Sequence, residues 1–322
     1  VIAVVVSICD FLQQVIQYFC AKPLLKHINS RSSAKDSELG RRLIRYSLTS
    51  FGMRLSITLK DRIDPYIVGG ILSVSMVPLY SIGTRFLFLA GDVINALFGG
   101  QFLAAFSRME GSGNQEAMRA KFLSSLRCCA AVAAFISSAL VIQGRVFIER
   151  WIGNGFSGAY DVLLIVAFPY ALFMMQYPSF SLISSMNRQS HVTRIAALGS
   201  IINIVLSVTL GLFFGVKGVA WGTAIDLCIV YLILFPRTVC NQTDIPVWSY
   251  LRALSRGAFP VFAGMYVCYV LSYNWLAPSY STILMFGLLH CACFCSLFWA
   301  FVLTGGERAW VKGHFMGNKL SA

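Results

Sequence analysis

Charge is what this sequence lacks most. Asp, Glu, Lys and Arg make up 12% of its 322 residues, where a soluble globular domain carries about 25%. Acids are the scarcer sign, 13 against 26 bases, and the formal net charge is +13. The phosphate-cradling loop GxxxxGK[ST] is missing, so no ATP drive is expected within this chain. GxSxG, HExxH and His-and-acid pairs at metal-ligand spacing are missing too. These absences leave no catalytic residue and no metal ligand to nominate, and the expectation is a protein that is not an enzyme. No basic segment precedes Val1, which already lies inside an apolar run. A cleaved signal peptide is therefore not expected, and the chain reads as truncated at its N-terminus.

What the sequence has instead is apolar length. Hydrophobic residues make up 57% of it. Runs able to cross a bilayer, about 20 residues each, fall at 1–20, 43–63, 78–106, 123–143, 160–186, 192–214, 217–235, 257–276 and 280–304. They are long and do not alternate, so they predict helices rather than barrel strands. The expected fold is all-α, a polytopic membrane bundle of about nine transmembrane helices. Alternate loops hold 18 of the 26 basic residues, while the opposite loops hold five: Lys60, Arg62, Arg145, Arg150 and Lys217. The crowded side is predicted to be cytoplasmic, with Val1 outside and Ala322 inside. The positive charge is spread over these loops and forms no nucleic-acid module, so anionic lipid headgroups are the nearer partner. The polar stretch KPLLKHINSRSSAKDSELGRR (22–42) reads as a linker between one bundle and the next. GVKG (215–218) is short enough to join the sixth and seventh runs as an antiparallel hairpin.

Polar residues inside these runs carry the functional argument. In the third run, Ser81, Arg85, Asp92, Asn95 and Gly99 recur at three-, four- and seven-residue steps and share one helix face. The second run repeats the pattern with Ser47, Ser50, Arg54, Thr58 and Asp61. The first does so with Asp10, Gln13, Gln14 and Gln17. Such stripes serve either as glue between helices or as the lining of a shared hydrated cavity, and three in succession favour the cavity. The nominated cavity residues are Arg54, Arg85, Asp92, Asn95 and Ser50. Arginine can hold a phosphate or carboxylate bidentately, which suits an anionic solute. Asp10, Asp92 and Asp226 keep a cation exporter open. In the fifth run, Pro169 and Pro178 each remove a backbone donor and mark either a static bend or a hinge. Gln176, between them, is placed to face freed carbonyls or the cavity. Cys291, Cys293 and Cys295 point in different directions on a helix and read as packing residues, and His290 reads as packing or interfacial.

The order of several motifs resembles a known family. IDPYIVGGILSVSMVPLYSIGTRF (63–86) has an Asp ending a span, a Gly pair, then a Tyr and an Arg opening the next. NRQSHVTRIAALGSIINIVLSVTLGLFFGVKGVAWGTAID (187–226), NQEAMR (114–119) and ERWIGNGFSGAYDVLLI (149–165) fit as well. Together they resemble the lipid-linked oligosaccharide flippases, the O-antigen or capsule-repeat translocases of the multidrug/oligosaccharidyl-lipid/polysaccharide exporter superfamily. The resemblance implies two six-helix lobes around a central cavity. Residues 43–235 would be the second lobe and 1–21 the last helix of a missing first lobe. Residues 236–304 would be an extra helix pair and 305–322 a cytoplasmic tail. It implies transfer of an undecaprenyl-diphosphate-linked repeat from the inner to the outer leaflet of a bacterial inner membrane, with Arg54 and Arg85 meeting the anionic headgroup. It also implies a monomer, with a polysaccharide polymerase among its partners. No cofactor is expected, and a coupling cation, Na+ or H+, is left open. A drug or cation antiporter of the same superfamily is the alternative. A multispan glycosyltransferase or polymerase is the enzyme reading, and it would need catalytic acids in a long external loop. The longest external segments expected, 64–77 and 144–159, are short.

Overall fold

A computed structural model describes residues 62–111, 113–272 and 279–315, with single helical positions at 12, 15, 19, 40, 41, 44, 47, 48, 51 and 52. The chain forms two units, Val1–Ser47 and Leu48–Ala322. In the first unit, Leu12, Phe19 and Ile44 are helical and exposed. In the second, the helices are α1 (62–71), α2 (Val77–Phe98), α3 (Gly100–Gly111), α4 (Gln115–Trp151), α5 (Ser157–Met174), α6 (Tyr177–Ser185) and α7 (Gln189–Cys228). They continue with α8 (Phe235–Thr243), α9 (Val247–Ser272), α10 (Tyr280–Leu297) and α11 (Gly305–Phe315). Single π turns, Ile229–Leu234 and Phe298–Val302, follow α7 and α10.

Six stretches of the described residues are long and apolar enough to cross a membrane: Val74–Gly111, Gln115–Trp151, Ser157–Ser185, Gln189–Thr243, Val247–Leu271 and Tyr280–Val302. The fourth is a hairpin. Gly215, at φ 63° and ψ −143°, interrupts α7, a backbone conformation that suits glycine. The two arms then pack so closely that a Cβ on Gly218 would lie 1.9 Å from the Leu210 carbonyl oxygen. The third to ninth predicted runs are therefore present as membrane-length helices, and the protein is a multi-pass helical bundle. The first two runs lie largely outside the described residues.

Two predicted loops are shorter than expected, because α1 continues through residue 71 and α4 through Trp151. Asp64 and Pro65 were placed beyond the end of a span. They lie instead within the helix described over 62–71. The third run is broken at Gly99, between α2 and α3, and the fifth at Met175–Gln176, between α5 and α6.

The central pillar is α4, which packs against α2, α5, α6, α9 and α10. Its buried residues are mostly small, including Ser125, Ala130, Ala131, Ala133, Ala134 and Ser137. Small residues let apolar helices approach closely where no hydrophobic drive separates helix from lipid. The larger side chains of the core, Tyr80, Leu87, Phe106, Phe122, Leu163 and Tyr250, fill the spaces between helices.

Candidate functional site

Two polar regions interrupt this apolar bundle. The first lies where α1 and α2 meet the α7 hairpin. The hairpin sets Asn203 and Ser207 on one arm against Val219 and Thr223 on the other. A Cβ on Gly222 would lie 2.5 Å from the Ser207 backbone nitrogen, so its absence lets the arms close. Asp64 enters this junction and is 4% exposed. Its Oδ2 accepts from Tyr80 OH at 2.6 Å and from Thr223 Oγ1 at 2.6 Å. Its Oδ1 accepts from Ser207 Oγ at 3.3 Å. Asn203 Nδ2 donates to Thr223 Oγ1 at 3.2 Å, while its Oδ1 is buried without a hydrogen-bond partner. Val219 contributes a carbonyl oxygen 3.4 Å from Ser207 Oγ. Asp226, three residues beyond Thr223, is fully buried on the same arm.

The donor set has a clear chemistry. Among the described residues, no three His, Cys, Asp or Glu side chains converge. The Asp64 cluster offers one carboxylate with hydroxyl, amide and carbonyl oxygens around it. Oxygen ligands with a single acid suit a hard cation of low charge, or a proton, better than a transition metal. Hydroxyl donors also stabilise a buried carboxylate through short, charge-assisted bonds.

The second region is the predicted stripe on α2. Gly83, Thr84, Leu87, Ala90, Gly91 and Ile94 form the buried face. Arg85, Asp92 and Asn95 are exposed, and no other side chain meets theirs among the described residues. Beside them on the exposed surface lie Leu89, Val93 and Leu97. With 3.6 residues per turn, the polar three and the apolar three form adjacent strips. One side of α2 is thus anchored, and the other is divided lengthwise into a polar and an apolar half. Arg85 and Asp92 are a week of residues apart on this strip and do not pair. Ser50 and Arg54 lie outside the described residues, so the structure does not place them against Arg85.

The predicted hinge resolves into a specific joint. Pro169 is buried inside an uninterrupted α5, and Pro178 lies in the first turn of α6. The break falls between them, at Gln176, which is 1% exposed. Gln176 Nε2 donates to the Tyr231 carbonyl at 3.2 Å, within the first π turn, and its Oε1 accepts from Tyr250 OH and Ser179 Oγ. Its carbonyl partner belongs to a distant segment and not to the turns before Pro169 and Pro178. His290 is buried against Gln143, with Nδ1 3.0 Å from Gln143 Nε2. Cys293 turns toward Cys268, with sulfurs 3.3 Å apart, while Cys291 and Cys295 face outward.

Sequence reasoning missed the Asp64 cluster as a unit. Asp64, Tyr80 and Thr223 were visible only as members of motifs. The usable signal was the hairpin register: a reversal at Gly215 sets 207 beside 222–223, and the four-residue step from 203 to 207 extends the same face.

A family model described as polysaccharide biosynthesis protein matches residues 11–161. No curated protein and no solved structure matches. The matched region contains Asp64, Tyr80 and the α2 stripe, while Asn203, Ser207 and Thr223 lie beyond it. Similarity to that family over these residues supports a part in polysaccharide biosynthesis or transport for this multi-pass membrane protein.

Proposed function

We propose that the chain is part of a translocase that moves an undecaprenyl-diphosphate-linked oligosaccharide repeat from the inner to the outer leaflet of a bacterial inner membrane, for O-antigen or related surface polysaccharide. In this reading residues 43–235 form one six-helix lobe and 236–304 an additional pair, with the Ala322 end cytoplasmic. The observation that carries it is the exposed polar strip of α2. An arginine, an aspartate and an asparagine stand together within a span, with no side-chain partner among the described residues. Such a strip is costly against lipid and is accommodated by a hydrated groove. A guanidinium there suits a diphosphate, while the adjacent Leu89, Val93 and Leu97 strip suits a prenyl tail.

The Asp64 cluster is the coupling element of this proposal. A proton or Na+ held by Asp64 would bias the packing of α1 and α2 against the α7 hairpin, and access would alternate as one lobe rocks against the other. The test is export of surface polymer by cells expressing single variants, beside immunoblots of their membranes. Arg85→Ala is expected to abolish export at normal protein level, and Arg85→Lys to retain part of it. Normal polymer from Arg85→Ala at normal level would reject headgroup binding by Arg85. The same cluster favours a second reading, a cation-coupled antiporter of small molecules. That reading predicts that Asp64→Asn abolishes transport while Arg85→Ala is tolerated.

A further inference from the structure

A separate basic groove lies at one end of the spans, remote in sequence from both regions above. It has a volume of about 450 Å³ and is lined by Arg127, Arg256, Phe259, Pro260, Phe301 and the turn through Thr304. Its construction starts from a glycine. A Cβ on Gly257 would lie 2.1 Å from the Arg127 carbonyl oxygen, so α9 rests directly on α4 at this level. That contact sets Arg256 beside Arg127. Pro260 follows one turn later within α9, where its missing N–H leaves a carbonyl of the preceding turn free of its helical bond.

The far wall is where the last span stops. The span ends at Val302, and Thr304 caps α11 reciprocally with Glu307. The Thr304 N–H donates to Glu307 Oε2 at 2.8 Å, and the Glu307 N–H donates to Thr304 Oγ1 at 3.4 Å, the capping-box arrangement. Glu307 also accepts from Arg127 Nη2, at 2.7 Å to Oε1 and 2.6 Å to Oε2. Both of these bonds use one terminal nitrogen. Arg127 Nε is buried and has no hydrogen-bond partner. Arg256 is exposed, and among the described residues no carboxylate meets it.

The groove is therefore basic at one end and aromatic at the other. Phe259 is 72% exposed and Phe301 65%, and among the described residues neither ring stacks on another aromatic. Among the described residues no acid lines the cavity itself, and Glu307 reaches it only through its pair with Arg127. A soluble anion would leave both rings uncovered, and an apolar molecule would leave the Arg256 guanidinium unanswered. An occupant that satisfies both is an amphiphile with an anionic head, held at the depth where a span gives way to an interfacial helix.

We infer that this groove binds the headgroup of an anionic phospholipid of the surrounding leaflet. Its phosphate is held by Arg256, beside the Arg127–Glu307 pair, and its upper acyl chain runs over Phe259 and Phe301. The bound lipid would join α4, α9 and the start of α11 at the membrane boundary. This site is independent of the translocation reading and requires only that the helices span a bilayer.

The test uses the full chain purified in mild detergent, with retained lipid counted by native mass spectrometry. The probes are phosphatidylglycerol, phosphatidylcholine and inorganic phosphate. Phosphatidylglycerol is expected to remain bound to the unaltered chain, and phosphatidylcholine to be lost. Arg256→Gln should weaken phosphatidylglycerol retention about tenfold, as expected for loss of a charge-assisted bond. Phe259→Ala should weaken retention of the same lipid by a smaller factor. Lys217→Gln, at the α7 turn, should leave it unchanged. Arg256 and Phe259 are both exposed, so each single variant should keep the helical circular dichroism of the unaltered chain. Equal retention by the unaltered chain and Arg256→Gln would overturn the site. Displacement of the lipid by inorganic phosphate at comparable concentration would overturn the lipid in favour of a soluble anion.

Discussion

The Asp64 cluster and the α2 stripe put charge into the same apolar bundle by opposite means. Asp64 is buried and accepts three hydroxyl hydrogen bonds from α2 and the α7 hairpin. Arg85 and Asp92 are exposed, and no other side chain answers theirs among the described residues. A buried polar group is tolerated when its partners are built into the fold. An exposed one within a span is tolerated when water reaches it. The first arrangement ties elements together and makes them sensitive to any change at one atom. The second leaves a surface whose chemistry is available to a ligand and whose alteration costs the fold little.

Substitutions can break this contrast, starting with the largest expected effect. Asp64→Ala removes the common acceptor of Tyr80, Ser207 and Thr223 and leaves these hydroxyls only their longer contacts with the Val219 carbonyl and with one another. It should destabilise the bundle by about 3 kcal/mol or more, read as a lower thermal unfolding midpoint in detergent. Tyr80→Phe removes one hydrogen bond to the carboxylate and should cost about 1.5–3 kcal/mol in the same measurement. By contrast, Arg85→Ala and Asp92→Asn should each shift stability by no more than about 0.5 kcal/mol. A large loss from Arg85→Ala would mean that the residue is structural, and the contrast would fail. Accessibility sharpens the comparison further. With native thiols replaced, cysteines at Arg85 and Asn95 should react with a small polar thiol reagent. Cysteines at Val93, on the apolar strip, and at buried Leu87 and Asn203 should not.

The smallest effect belongs to Glu307, an intermediate case at the boundary of the spans. Partial burial raises its pKa, but hydrogen bonds from Ser124 and Thr304 and the Arg127 guanidinium outweigh burial and hold it below the ordinary value. A depressed carboxyl contributes its full stabilisation above the ordinary glutamate range and loses it as pH falls through the folded value. The hold on α11 should therefore be complete at neutral pH and weaken only in acid. Hydrogen exchange of α11 would report this as faster exchange on acidification, after correction for intrinsic rates. Glu307→Gln should loosen α11 at neutral pH and remove the acid dependence.

These two regions were not equally legible in the sequence. The stripe was readable because Arg85, Asp92 and Asn95 lie on one helix, and helical spacing alone assigns them a face. The hairpin was readable because GVKG leaves no room for anything but reversal. The Asp64 cluster was not, because its contacts join residues 143 and 159 positions apart, and no local periodicity encodes such a meeting. The break in the fifth run was signalled by two prolines, but its position was set by Gln176 and its distant partners Tyr231 and Tyr250. The length of α4 escaped for another reason: Gln143, Arg145 and Glu149 look like loop composition. In the fold, Arg145 and Glu149 form an i,i+4 pair at 2.9 Å, and Gln143 meets His290, so the polar residues extend the helix instead of ending it.

That length has a mechanical consequence. At about 1.5 Å per residue, the 37 residues of α4 make a rod about 55 Å long, against about 30 Å of hydrocarbon. The rod carries no interior proline, so it has no built-in flexure. A tilt of about 10° sweeps one end about 10 Å relative to the other. Since α4 touches α2, α5, α6, α9 and α10, a small rotation at its middle becomes a large displacement at both membrane surfaces. It is an indicator needle, and a spectroscopic label at exposed Glu116 would read its swing.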